Sequence, residues 1–243
     1  VMKLFENAQF RGEPMVTKQI LQRIMRALAL KGLNQDLQQC ARLLELADSK
    51  EQVAELLKGF ELAFAGRSMS ALPDSLAKAL VDSGQSSLEL RLRLGQSDAI
   101  AAGIKLFENT KSKAAARSSI ARTLGEIKAA EAVPSLLKIS AKAKDQGLRR
   151  ASLAALTAFD DAGIGRDLLS QFADYSGDVR SAAFDVLLSR AQWTKPLAES
   201  IASGAVGEVP PNVADRLRLH EDEAIRKLVS AKLGTATRTS ASE

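Results

Sequence analysis

Three stretches decide the fold: Ala116-Arg117-Ser118-Ser119-Ile120-Ala121-Arg122-Thr123-Leu124, Leu148-Arg149-Arg150-Ala151-Ser152-Leu153-Ala154-Ala155-Leu156 and Val179-Arg180-Ser181-Ala182-Ala183-Phe184-Asp185-Val186-Leu187. In each, an apolar residue precedes an arginine, small or apolar residues follow three and four places on, and a leucine falls seven places on. The arginines are 32 and 31 residues apart. A weaker copy places Leu90 and Leu94 roughly one period before Ile120 and Leu124. A second apolar set follows each first: Val133, Leu136 and Leu137; then Ile164, Leu168 and Leu169; then Leu197 and Ile201. A unit of this length is a helical hairpin that cannot bury its apolar stripe alone, so hairpins stack and share a continuous core. The expectation is an all-α fold, a right-handed α–α superhelix of about seven helical hairpins filling residues 1–234.

Outward from these stretches the helical period persists. Ile20, Leu21, Ile24, Met25 and Leu28 make one apolar stripe. The spacing predicts helices paired as 17–31 with 34–47, 49–65 with 72–83, 85–94 with 97–108, 112–125 with 130–143, 146–158 with 161–173, 177–190 with 193–203, and 210–219 with 221–233. Gly32 stops one helix and Asn34 is placed to cap the next. Ser49 with Gln52 fits a capping box, Leu72-Pro73-Asp74 opens a helix, and Gly84, Gly95 and Gly125 sit where helices end.

Composition agrees. Of 243 residues, 46% are hydrophobic and 26% charged, which excludes wholesale disorder; only 4% are aromatic, too few for a β-sandwich or barrel. One Cys excludes an internal disulfide and a Cys-x-x-Cys-His haem attachment, and one His excludes two-His zinc motifs. The net charge of +5 permits an acidic partner without demanding one. No apolar run reaches the length of a membrane span. A chain opening on Val1 with no apolar signal core is expected to be a piece of something longer, and 235–243 reads as a flexible tail or linker.

The arginine one turn into each first helix, the Asp just before it (Asp145, Asp178) and the Pro opening a second helix (Pro134, Pro196) resemble HEAT repeats. The stretches Leu90–Gln96, Ile120–Gly125, Leu188–Trp193 and Arg216–Asp222, in this order, resemble the HEAT region of large exported dehydrogenase-like proteins of planctomycetes and related bacteria. In that family a β-propeller precedes the HEAT array and a c-type cytochrome domain follows it. Over roughly residues 20–234 the resemblance implies the middle module alone, without propeller, haem or redox chemistry. It implies an exported or periplasmic setting and neighbouring domains of a parent chain as partners.

No complete catalytic set is legible, and the chain is read as a non-enzyme with no cofactor. Arg117, Arg149 and Arg180 are expected to pair with loop Asp residues and carbonyls of a neighbouring repeat. His220 lies among Glu221, Asp222 and Glu223, where carboxylates serve the helix dipole better than a metal. Cys40 sits on an apolar stripe without a His partner. Gly163-Ile164-Gly165 lacks the strand and third glycine of a dinucleotide loop. Trp193 is expected to pack against a neighbouring hairpin. The leading function is a scaffold or protein-interaction module with no small-molecule substrate and no specific nucleic acid. The alternative is a nucleic-acid-binding HEAT-like protein of the alkylpurine DNA glycosylase type, for which one Trp and one Tyr are poor stacking material. A HEAT-type chromophore lyase is a third class for which no residue argues. Second helices of a solenoid line its concave side, which makes Lys105, Lys138, Lys142, Arg166 and Lys195 a candidate basic stripe for an acidic protein surface. Glu108, Asp167 and Glu199 are placed to neutralise it, and solvated charge is the plain reading.

Overall fold

The computed structural model describes residues 2–65, 67, 69 and 71–234; the expected tail at 235–243 lies outside the described residues. Among the described residues the chain is all-helical, with no strand. The chain divides into two compact units, Val1–Gly103 and Ile104–Glu243, a division that falls inside one helix.

In the first unit two short helices, α1 (Met2–Phe5) and α2 (Ala8–Gly12), precede the helices expected from the spacing. A π-helical stretch, Val16–Ile20, runs into α3 (Leu21–Lys31). There follow α4 (Asn34–Glu45), α5 (Lys50–Phe64), α6 (Asp74–Asp82), α7 (Leu88–Arg93) and the start of α8 (Ser97–Glu108). Helix α3 packs on α5 and α4 on α6, so alternate helices stack. Their apolar faces, with Leu21, Met25, Leu56, Phe60, Leu76 and Leu80, form one core. Gly32, at φ 67°, terminates α3 in the left-handed conformation that glycine adopts without strain. The next helix begins at Asn34 with Leu33 in the capping position, so Asn34 is not the side-chain cap its type suggests. At α5 the Ser49 hydroxyl accepts from the Gln52 N–H at 3.2 Å, while the Gln52 amide oxygen accepts from the Asp48 N–H at 2.9 Å. The reciprocal arm of the capping box therefore reaches one residue further back than the standard form.

The second unit contains the end of α8, then α9 (Ala114–Glu126), α10 (Val133–Lys142), α11 (Gln146–Leu156), α12 (Ala162–Ser170), α13 (Gly177–Leu187), α14 (Ala191–Ala202), α15 (Pro211–Arg218) and α16 (Glu223–Leu233). Helices α9, α11 and α13 stack in one row, and α10, α12, α14 and α16 in the other. Leu124, Leu156 and Leu187, the leucines that end the three aligned stretches, are each 0% exposed. Two expectations fail here. Gly125 lies inside α9, against the Ala155 backbone, and the left-handed residue that follows that helix is Lys128 at φ 52°. Pro134 does open α10, but Pro196 lies within α14, because that helix starts at Ala191.

A cationic groove beside Arg117

The three repeated arginines grip backbone carbonyls, not Asp side chains. Arg149 Nε donates to Ser140 O at 2.7 Å, near the end of α10, and its Nη2 donates to Asp174 O at 2.7 Å, beyond α12. Arg180 Nη2 donates to Val206 O and, at 3.4 Å, to Glu208 O beyond α14. Carbonyls at a helix C-terminus carry partial negative charge and lack intrahelical donors, so a guanidinium is a fitting partner. Aromatic rings complete both sites: Arg149 lies 5.6 Å from the Tyr175 ring centre, and Arg180 lies 4.5 Å from that of Phe172.

Arg117 departs from this pattern. It is only 8% exposed, and its Nε donates to Phe107 O at 2.6 Å, in the last turn of α8. No carbonyl and no ring among the described residues meets the other edge of its guanidinium. The reason is a linker length. Six residues, 171–176, join α12 to α13 and include the 3₁₀ turn Phe172–Asp174 and Tyr175, which fold back over Arg149. Only three residues, 143–145, join α10 to α11, too few to fold back over Arg117.

What remains is an open groove of about 760 Å³. The end of α8 and the loop after it supply Glu108, Thr110 and Ser112; α9 supplies Ala114 and Arg117; and α10 with its linker supplies Lys138, Ile139, Lys142, Ala143, Lys144 and Asp145. Four side chains are basic and two acidic. Both carboxylates are engaged: Glu108 Oε1 accepts from the Ser135 hydroxyl at 2.6 Å, and Asp145 Oδ1 accepts from the Leu148 N–H at 2.7 Å as the cap of α11. Lys142 is paired with Asp174 at 2.7 Å. Lys138 and Lys144 are exposed, and no ion pair among the described residues holds them.

Of the five expected basic residues, the structure brings Lys138 and Lys142 together in this groove. Lys105, Arg166 and Lys195 are exposed on α8, α12 and α14 and do not line it. Arg117 as a groove residue, and Lys144, escape sequence reasoning. The available signal is the short linker 143–145, which lacks the aromatics found at Phe172 and Tyr175.

The other expected sites resolve into packing. Trp193 is 0% exposed; its Nε1 donates to Asp161 O at 2.8 Å and its ring lies against Gly165. Tyr175 is buried, shares a hydroxyl–hydroxyl hydrogen bond of 2.9 Å with Ser140, and has its pKa raised chiefly by burial. Neither ring offers a face on which a base could stack. His220 Nδ1 accepts from the Asp222 N–H at 3.0 Å, and Asp222 caps α16. Among the described residues no group of three or more His, Cys, Asp and Glu side chains is placed to hold a metal, and no helix is long and apolar enough to cross a membrane. No family model matches the chain, and neither does any curated protein or solved structure.

Proposed function

We propose that residues 104–234 form a right-handed HEAT-type array of hairpins that serves as a non-catalytic scaffold, docking an acidic protein surface on the groove beside Arg117. The observation that carries the reading is the groove's charge: four basic side chains line it against two carboxylates, so it stays net positive even with Lys142 paired to Asp174. The stacked rows of α9–α11–α13 and α10–α12–α14–α16, with an arginine at the same repeat position gripping helix-terminal carbonyls, support the array. Charge complementarity of this kind gives orientation and fast association more than raw affinity.

The test reverses Lys138, Lys142 and Lys144, the exposed basic residues of the groove, to Glu together and compares partner capture with that of the wild-type chain. All three are exposed, and the Lys142–Asp174 pair is a surface pair contributing about 0–1 kcal/mol, so the fold should survive. Loss of an acidic partner from the variant, with the circular dichroism spectrum unchanged, is the expected result. Unchanged recovery overturns the reading. So does tight binding of duplex DNA that falls steeply with salt and is lost in the same variant, because that marks a phosphate footprint.

A further inference from the structure

We propose that the groove contains a built subsite for a single carboxylate of an acidic peptide, with the outer edge of the Arg117 guanidinium as its anchor and Lys138 and Lys144 flanking it. The proposal deepens the docking reading and rests on it.

Three observations converge. Arg117 is almost fully buried, and one hydrogen bond, from Nε to Phe107 O, ties its guanidinium to the last turn of α8. Its terminal nitrogens have no partner among the described residues, yet none of them is a sealed, unsatisfied donor, so they open onto the groove that Arg117 lines. In the equivalent place Arg149 gives Nη2 to the Asp174 carbonyl. The vacant edge of Arg117 therefore presents donors at a position where the next repeat supplies an oxygen. A planar fork matches a carboxylate with two parallel hydrogen bonds, and rigid placement reduces the ordering cost of binding.

The charge balance selects the ligand. With Lys142 neutralised by Asp174, the groove holds Arg117, Lys138 and Lys144 against Glu108 and Asp145. That leaves one net positive charge, which suits a carboxylate better than a doubly charged phosphoryl group. The groove is open and far larger than one carboxylate, so the group is expected to arrive on a peptide lying along α10 and the 143–145 linker.

The experiment uses the full chain and a fluorescein-labelled octaglutamate peptide, read by anisotropy at low salt. Arg117→Lys keeps the charge and removes the fork; it should weaken binding about tenfold, a difference of about 1.4 kcal/mol. Lys144→Ala, at an exposed position, should weaken it several-fold. Arg149→Lys breaks the analogous grip outside the groove and should leave affinity unchanged, which separates anchoring from general loosening. Equal, small losses from Arg117→Lys, Arg166→Ala and Lys195→Ala would overturn the subsite, since they describe diffuse charge. Inorganic phosphate displacing the peptide more effectively than free glutamate, at matched ionic strength, would also overturn it. If octaglutamate fails to bind while the triple charge reversal still abolishes partner capture, the subsite falls and the docking reading stands. If capture too is insensitive to the reversal, both fall.

Discussion

Cys40 lies fully buried in α4, with its Sγ 4.0 Å from Met25 O. Burial, and after it the negative charge of Asp36 one turn earlier, push the thiol from its ordinary value of 9.0 up to about 12. In the unfolded chain the thiol ionises near its ordinary value. Above about pH 9 the unfolded chain therefore sheds a proton that the folded chain keeps, and stability, intact below that point, falls as pH rises toward 12. Tyr175, also raised by burial, acts in the same direction. Urea midpoints at about pH 8 and about pH 10.5 should drop more for wild type than for Cys40→Ala; equal drops would contradict this linkage. A thiol so protected should also resist aromatic disulfide reagents until the chain unfolds. Leu156, wholly buried at the end of the second aligned stretch, makes a different prediction. Leu156→Ala should cost about 2–5 kcal/mol, and an unchanged thermal midpoint would contradict the repeat register.

Helix contacts depend on missing side chains. A Cβ at Gly59 in α5 would lie 2.2 Å from Gln22 O in α3, and one at Gly165 in α12 would lie 2.7 Å from Cδ1 of Trp193 in α14. Alanine is the better helix former by about 1 kcal/mol, yet Gly59→Ala should destabilise by about 1–3 kcal/mol, because a backbone oxygen cannot rotate away. A rise in the thermal midpoint of that variant would show that the helices separate freely. Gly165→Ala should behave likewise, with the indole displaced. At this scale much of the fold is legible in the sequence: the apolar period places α3–α16 to within a few residues, since it depends only on which face each helix buries. Close approach is not legible, because Gly59 and Gly125 look like helix breakers until a neighbouring helix is seen against them. Nor is Pro196 inside α14, since a proline at the first turn and one further in have the same local pattern. The groove was half legible for a similar reason. Lys138 and Lys142 follow from helical spacing, whereas the open edge of Arg117 follows from what a three-residue linker cannot reach.

Each compact unit has its own buried core, and the proposed reading of the second is an array of hairpins of one period. In an array of such hairpins stability is a sum of repeat and neighbour terms, so removing a whole period is tolerated better than removing part of one. Deleting residues 146–176 joins Asp145, already a capping residue, to Gly177 at the start of α13. The shortened chain should keep a helical circular dichroism spectrum and a cooperative melt at a lower midpoint. A featureless melt would mean that the second unit is one indivisible bundle. Its two largest polar-tipped rings have a consequence of their own. The chain has one Trp and one Tyr, and Trp193 and Tyr175 both belong to the second unit. Excited near 280–295 nm, roughly the absorption range of these rings, the protein emits from that unit alone, while far-ultraviolet dichroism sums peptide groups along the whole chain. The indole, sealed against Gly165, should emit at short wavelength and shift to the red when α12 and α14 part. The interval between the emission and dichroism melting curves is therefore a label-free meter of whether the two units let go together.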